Sequence, residues 1–201
     1  MTPKNNINGI LLLDKPLMMS SNRAIQKIKK QFNIKKAGHT GTLDPLATGL
    51  LPVCFGKATK ISRFLINSDK TYRAIIKLGI KTSTGDKEGE IIERCSLDVS
   101  KNSSKTEQVL QSFIGKQKQT PPMYSALKHK GERLYKLAQK GLNVSRKPRA
   151  IRIYSIDLIS INKNYLELII ECSKGTYIRT LAEDIANKLG TVGHIDRLRR
   201  A

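Results

Sequence analysis

The sequence predicts an α+β fold whose central sheet is mixed or mostly antiparallel and is flanked by helices. Segments with strand composition are interspersed with amphipathic helical segments, but they lack the regular spacing of repeated βαβ units. A chain of 201 residues, of which 39% are hydrophobic, can bury a substantial core. Its length favours one domain that carries an insertion over two full domains.

The first part of the chain is predicted to contain a strand, a helix and a neutral loop. Gly9–Leu13 is a short apolar run that we interpret as a buried strand. Ser20 and Ser21 can cap a helix that continues to Phe32. Residues 37–56 are rich in glycine and are expected to form the loop. The predicted apolar face of the helix consists of Ile25, Ile28 and Phe32.

The second part is predicted to contain two strands and two helices. Thr71–Ile80 has strand composition and is followed by a turn over residues 82–89, and Tyr165–Cys172 alternates like a half-buried strand. Ser104 begins a capping box ahead of one helix, and apolar spacing marks another over Ile178–Leu189. Each of these helices is followed closely by a glycine, which is typical of a helix end.

The charge of the chain indicates a polyanionic partner. Lys and Arg number 37 against 16 acidic residues, which gives a net charge of +21. Residues 116–152 hold eleven of these cations and a single acid, Glu132, with Tyr124 and Tyr135 among them. We interpret this segment as an insertion that grips RNA or DNA through phosphates. The alternative for this segment is a solvated face, and the alternative for the overall excess of lysine is a genome biased towards Lys, Asn and Ile codons.

One segment contrasts with this basic background, since residues 37–56 contain a single charge, Asp44. A carboxylate in apolar surroundings costs free energy unless another group compensates it. Gly38, Gly41 and Gly49 permit unusual backbone conformations, and Pro45 restricts the conformation of Asp44. The pattern predicts one carboxylate held in a fixed direction for chemistry. The alternative is that Asp44 only caps its turn through a local hydrogen bond.

Several other kinds of site are disfavoured. Cys54, Cys95 and Cys172 are far apart, and the three histidines lack paired ligand spacing, so neither a disulfide framework nor a metal enzyme is expected. The sequence has no P-loop and no GxSxG elbow, and a GxxG pattern at residues 38–41 is too short to indicate a KH module. No apolar run is long enough for a membrane span or a signal peptide, which predicts a cytoplasmic protein.

Motifs along nearly the whole chain resemble those of the TruB family, the bacterial tRNA pseudouridine-55 synthases. The segment GHTGTLDPLATGLLPV, which begins at Gly38, closely resembles the catalytic motif of that family. Other motifs occur in the family's order, and this agreement makes the resemblance specific. They are GILLLDKP from Gly9, DKTYR from Asp69, PMYSALK from Pro122, CSKGTYIRT from Cys172 and LRR from Leu198.

The resemblance implies a pseudouridine synthase fold and an isomerase that acts on uridine 55 in the T-arm loop of tRNA. Asp44 would be the catalytic aspartate, either attacking the sugar carbon or assisting removal of a ribose proton, and Arg179 would pair with it. The reaction detaches uracil from ribose, turns it and rejoins it through C5. No atom is gained or lost, so neither a cofactor nor a metal is implied.

The resemblance also assigns residues that bind the substrate. Tyr72 would stack on the target uracil, Tyr177 and Leu198 would line the uridine pocket, and His39 would lie where the flipped nucleotide leaves the RNA stack. The basic residues 116–152 would be the thumb that closes on the T-arm loop. The expected partner is tRNA, without DNA or a membrane, and the protein is expected to act as a monomer.

The sequence departs from the family at its end. Family members usually continue past the LRR motif into a C-terminal extension, commonly with a PUA-type RNA-binding domain, whereas this sequence ends at Ala201. We therefore expect residues 1–201 to form a single catalytic domain without a PUA domain. Two alternatives remain at this point, namely a non-catalytic tRNA-binding or tRNA-folding protein and a basic structural protein of the ribosomal type.

Overall fold

The computed structural model describes residues 5–95 and 103–201. Its elements confirm the predicted α+β class, and its strand pairs are both antiparallel and parallel. In the first half of the described chain the elements are β1 (Gly9–Lys15), α1 (Ser21–Gln31), β2 (Ala37–His39), β3 (Ala47–Phe55), a 3-10 helix (Gly56–Lys60), α2 (Ser62–Ile66), β4 (Lys70–Leu78), β5 (Ile80–Thr82) and β6 (Ile91–Arg94). In the second half they are α3 (Ser103–Gln111), β7 (Gly115–Gln119), β8 (Lys128–His129), β9 (Glu132–Arg133), α4 (Leu134–Gln139), β10 (Arg149–Asn162), β11 (Tyr165–Cys172), α5 (Ile178–Lys188) and β12 (Gly193–Arg200).

The chain divides into two compact units. The first combines the residues up to Arg73 with Arg197–Ala201, and the second is Ala74–Asp196. The strands β4 and β12 therefore each contribute residues to both units.

In the first unit the strand β3 is the centre of the sheet. It pairs antiparallel with β1 along its length, and at opposite ends it pairs with β2 and with the last residues of β12, the latter in parallel. Leu51, Val53 and Cys54 of β3 are fully buried. The prediction of a loop over residues 37–56 is therefore wrong for most of the segment. Its apolar half forms a buried strand, and only residues 40–46 connect the two strands.

The strand predicted at Gly9–Leu13 exists, but the prediction that it is buried is wrong. In the described part of the chain β1 pairs only with β3, and its outer face exposes Leu12 by 68%. The predicted helix is confirmed as α1, where the Ser20 hydroxyl accepts a hydrogen bond from the Arg23 N–H. Its apolar face is correct for Ile25 and Ile28, whereas Phe32 lies beyond the last helical turn and is exposed.

In the second unit β10 is central and pairs antiparallel with β11 and β7. The predicted strand Tyr165–Cys172 is confirmed with the same bounds, and α5 confirms the predicted helix to within one residue. The predicted strand Thr71–Ile80 is interrupted at Gly79, whose φ of +83° ends β4 and begins β5. The helix predicted after Ser104 is α3, but it already includes Ser104, which is therefore not at its cap.

The basic segment 116–152 begins and ends within the sheet of this unit. Its first residues belong to β7, which pairs antiparallel with the start of β10 so that Gln119 lies opposite Arg149. Between these two strands the chain forms the β8–β9 hairpin and α4, whose Leu134 and Leu137 are buried. Residues 120–148 thus leave the sheet between two neighbouring strands and return to it.

Candidate active site

Asp44 lies at the start of a turn that leads into β3. The Ala47 N–H donates to the Asp44 carbonyl over 3.0 Å, and Pro45 occupies the second position of the turn, which its fixed φ favours. The neighbouring Leu43 and Leu46 are buried, whereas Asp44 itself is half-buried. Asp44 is therefore less buried than the neutral sequence suggested.

The residue before Asp44 is fixed by a serine of α1. The Ser21 hydroxyl accepts a hydrogen bond from the Leu43 N–H at 2.8 Å and donates one to the Leu43 carbonyl at 3.0 Å. The side chain of Ser21 is buried, since the residue is only 1% exposed. Both backbone groups of Leu43 are therefore satisfied by one side chain, which holds the chain rigidly just before Asp44.

The residue after Asp44 is fixed by the end of β1. Lys15 is fully buried, and its ammonium donates to the carbonyls of Pro16 at 2.8 Å, Met19 at 2.6 Å and Pro45 at 3.3 Å. The Met18 N–H also donates to the Pro45 carbonyl, over 2.9 Å. A buried ammonium is tolerated because these carbonyl dipoles are directed at it. The two sides of the Asp44 turn are thus anchored by the end of β1 and the start of α1.

Arg200, at the end of β12, contacts both the loop between β2 and β3 and the strand β3 itself. Its buried guanidinium donates to the Leu50 carbonyl at 2.7 Å and to the Gly41 carbonyl at 3.2 Å. Gly49 lies directly against the backbone of Arg200, where an added Cβ would overlap the Arg200 carbonyl oxygen, and its φ is +101°. Only glycine meets both conditions, so Gly49 lets β3 and β12 pair at this position.

His39 is half-buried at the end of β2, and its Nδ1 accepts a hydrogen bond from the Gly41 N–H at 3.3 Å. Burial and, secondarily, the positive charge of Arg200 lower the pKa of His39 below its usual value. The lowered pKa favours the neutral imidazole, in which Nδ1 acts as the acceptor. A neutral ring suits contact with an uncharged base better than an imidazolium does.

Leu198 and Tyr72 are the other predicted site residues of the first unit. Leu198 is buried on β12 and lies opposite Ala47, the last residue of the Asp44 turn. Tyr72 is half-buried on β4. The first unit therefore contains Asp44, His39, Tyr72 and Leu198, and the structure brings Leu198 and the Asp44 turn together on adjacent strands.

Tyr177 and Arg179 belong to the second unit, at the beginning of α5. Arg179 is 6% exposed, and its guanidinium donates to the carbonyls of Thr84 at 2.7 Å and Tyr124 at 2.6 Å. Its Nη1 also lies 3.6 Å from the Asp86 Oδ2. Tyr177 is half-buried and is the N-cap residue of the helix. The predicted pairing of Arg179 with Asp44 stays a prediction.

Asp86 is a partner of Arg179 that the sequence analysis did not identify. It is buried, and its Oδ1 accepts hydrogen bonds from the Thr84 hydroxyl at 2.6 Å and the Glu88 N–H at 3.1 Å. It lies in the segment 82–89, which the sequence indicated only as a turn. Polar turn residues are common, so no local signal marked Asp86 as the member of a buried ion pair.

The basic insertion contains a cavity of about 530 Å³ on the β8–β9 hairpin and α4. Four cations line it together with Tyr135 and Glu132, and Glu132 is paired with Lys140 at 2.7 Å. An open, positively charged cavity with one aromatic ring suits a phosphate chain with exposed bases. The lining cations are Lys128, Lys130, Arg133 and Lys136.

Thiols, possible metal ligands and helix lengths complete the description of residues 5–95 and 103–201. These residues contain no group of three side chains placed to hold a metal ion. Cys54, Cys95 and Cys172 are free thiols. Across the same ranges, every helix is too short or too polar to span a bilayer.

Comparisons with known sequences give one consistent result. The family model for "TruB family pseudouridylate synthase (N terminal domain)" matches residues 29–178. Proteins named tRNA pseudouridine synthase B are 53% identical in both Methylobacillus flagellatus and Neisseria meningitidis over 98% of this chain, and 54% identical in Blochmanniella pennsylvanica over 97% of it. The chain spans 65%, 64% and 74% of the length of these three relatives, respectively.

Solved structures agree with the predicted fold. A crystal structure of a Cbf5–Nop10–Gar1 complex matches with a TM-score of 0.73 and 31% identity, over 96% of this chain and 48% of that chain. The structure of an H/ACA RNP bound to a substrate RNA containing 2′-deoxyuridine matches with a TM-score of 0.71 and 28% identity, over 96% of this chain and 46% of that chain. Together with the family match, these likenesses confirm the fold that the sequence motifs implied.

Proposed function

Because the chain belongs to the TruB family of pseudouridylate synthases, we propose that it isomerises one uridine to pseudouridine in the T-arm loop of tRNA, at position 55. The observation that carries this proposal is the geometry of Asp44. The carboxylate is half-buried on a turn whose neighbouring residues are fixed by Ser21 and Lys15. Binding alone would not require a single acid to be anchored so firmly on a chain of net charge +21.

The reaction exchanges one bond of ribose C1′ for another. The bond from C1′ to N1 of uracil breaks, the base turns, and a bond from C1′ to C5 forms. C5 loses its proton and N1 gains one, so that atoms and electrons balance within the nucleoside. The ionised carboxylate of Asp44 acts at the ribose during cleavage, and Arg179 supplies a positive charge that keeps it ionised.

The substrate-binding residues act on the base. The planar side chain of Tyr72 stacks on the target uracil, a contact worth about 1–3 kcal/mol. Leu198 and Tyr177 line the pocket, and neutral His39 lies where the flipped nucleotide leaves the stack. Their contacts offset the cost of flipping, which is a few kcal/mol.

The basic insertion supplies affinity for the RNA. Four cations and Tyr135 line the cavity in this insertion. Contacts from such cations to phosphates increase affinity but discriminate little between RNA sequences. In this proposal residues 1–201 act as one catalytic domain, with residues 116–152 as the thumb. The protein works as a monomer on tRNA in the cytoplasm, without a cofactor.

The proposal is tested by incubating the protein with an unmodified tRNA transcript and mapping pseudouridine by mass spectrometry of nuclease fragments. We expect conversion at position 55 by the native chain and none by Asp44→Asn. A transcript with cytidine at position 55 serves as the control for site choice. If the native chain leaves the tRNA unchanged, or modifies a different uridine, the proposal is wrong. If Asp44→Asn remains active, the role given to Asp44 is wrong.

A further inference from the structure

Gln119, at the end of β7, makes a pair of hydrogen bonds to the backbone of Tyr177. Its Oε1 accepts from the Tyr177 N–H at 2.8 Å, and its Nε2 donates to the Tyr177 carbonyl at 3.1 Å. Gln119 is 4% exposed. One side-chain amide thus replaces the two hydrogen bonds that a neighbouring strand would make, and it fixes both the position and the orientation of the Tyr177 peptide groups.

Tyr177 is the N-cap residue of α5, and its own side chain makes no capping hydrogen bond. Its first turn carries Arg179, whose guanidinium donates to the carbonyl of Tyr124 at 2.6 Å. The segments 119–124 and 177–179 are therefore joined twice, each time by a side chain of one segment and the backbone of the other. We call this reciprocal pair of contacts the 119–179 latch. It determines where the first turn of α5 lies with respect to the start of the insertion.

The insertion is also closed at its base. The Arg146 Nη1 donates to the carbonyl of Pro121 at 3.1 Å, so that the returning end of residues 120–148 contacts the outgoing end. The 119–179 latch connects the 119–124 segment, at the base of the insertion, to the residues at the start of α5.

We propose that Gln119 is a positioning residue, which through the 119–179 latch holds Tyr177 and Arg179 in the geometry needed for isomerisation. The inference rests on the proposed function, because Tyr177 and Arg179 take their roles from it. Gln119 itself contacts no reacting atom in this account. If Gln119 had only a structural role, its replacement would lower the stability of the protein. The reaction rate would then not depend on whether the side chain at position 119 can donate a hydrogen bond.

The test compares Gln119→Glu with Gln119→Leu under single-turnover conditions at saturating tRNA. Leucine removes both hydrogen bonds, and a displacement of about 1 Å at the first turn of α5 should lower the rate about 10- to 100-fold. The dissociation constant for tRNA should change less than about threefold, because the phosphate-binding cations are untouched.

The pH dependence of Gln119→Glu gives the sharper readout. An ionised glutamate still accepts from the Tyr177 N–H but repels the Tyr177 carbonyl, whereas the protonated acid donates to that carbonyl as the amide does. The rate of this variant relative to the native chain should therefore rise as the pH falls from about 8 to about 5.5, since burial raises the pKa of a carboxyl group. The relative rate of Gln119→Leu should stay flat over the same range.

Gln117 of the same strand provides the matched control. Its amide donates to the Phe113 carbonyl at 2.7 Å, outside the latch, so Gln117→Glu should show neither effect. A flat relative rate for Gln119→Glu, or a loss of tRNA affinity without a loss of rate in Gln119→Leu, would overturn the inference. Failure of both Gln119 variants to fold would also overturn it, since Gln119 would then serve folding. An inactive native chain would instead refute the proposed function.

Discussion

Replacing Ser21 by alanine tests whether the anchoring of the Asp44 turn matters for reaction. The substitution removes the hydroxyl that binds both the N–H and the carbonyl of Leu43, at 2.8 and 3.0 Å, in a site only 1% exposed. Each of the two buried polar groups left without its partner costs about 1–3 kcal/mol, so we expect the free energy of unfolding to fall by about 2–6 kcal/mol. The loosened turn should displace the carboxylate of Asp44 and lower the rate about 100-fold if the shift reaches about 1 Å.

The neighbouring serine gives the control. Ser20 is the N-cap of the same helix and accepts a hydrogen bond from the Arg23 N–H at 3.2 Å, whereas the hydrogen bonds to Leu43 come from Ser21. Ser20→Ala should cost about 1 kcal/mol of stability and leave the rate nearly unchanged. Urea denaturation measures the first quantity, and single-turnover pseudouridine formation at a temperature where all variants are folded measures the second. Equal effects of the two substitutions on the rate would show that the hydrogen bonds from Ser21 to Leu43 do not position Asp44.

Three further predictions concern packing, pH and salt. Gly49→Ala should destabilise the protein by more than about 3 kcal/mol in urea denaturation, because φ is +101° and the new Cβ overlaps the Arg200 backbone, whereas Gly38→Ala meets no neighbour and should be mild. Burial raises the pKa of Glu183 in the folded protein. The contribution of Glu183 to stability is therefore present when the pH is below the pKa of the unfolded chain, and it is lost as the pH rises through the higher pKa of the folded protein. Glu183→Gln should therefore stabilise the protein at pH 7 more than at pH 4; an equal effect at both would contradict this. The logarithm of the tRNA association constant should fall with the logarithm of salt concentration with a slope of about −3 to −4 if the four cavity cations each bind a phosphate, and a flat dependence would exclude that role.

The elements that the sequence predicted well are those whose pattern is local. Tyr165–Cys172 alternates with period two and Ile178–Lys188 has helical spacing, so each segment specifies its own conformation. The environment of β1 could not be predicted in the same way. The apolar run Gly9–Leu13 suggested burial. Its exposure depends instead on how many strands pair with β1, and the partner strand β3 lies some forty residues later in the chain.

The same difference between local and long-range information applies to the candidate site. The neutral surroundings of Asp44 are local in sequence and marked it as unusual. The side chains that anchor the turn instead donate hydrogen bonds to backbone carbonyls far away in the sequence. A backbone carbonyl is present in every residue, so the sequence does not mark these contacts. Ser21 reaches a residue 22 positions away, Lys15 one 30 positions away and Arg200 one 159 positions away. The sequence therefore indicated the acid but not the groups that fix it.

Tritium release from labelled tRNA tests whether Asp44 drives the isomerisation of a tRNA uridine. Pseudouridine formation replaces the C5–H bond of uracil by a bond to ribose, so tRNA labelled with tritium at C5 must lose the label to water. We expect the native chain to release one tritium per target uridine. We expect no release by Asp44→Asn, although that variant should still bind the tRNA in filter-binding measurements. Equal release by both proteins, or no release by the native chain when the tRNA is bound, would contradict these expectations.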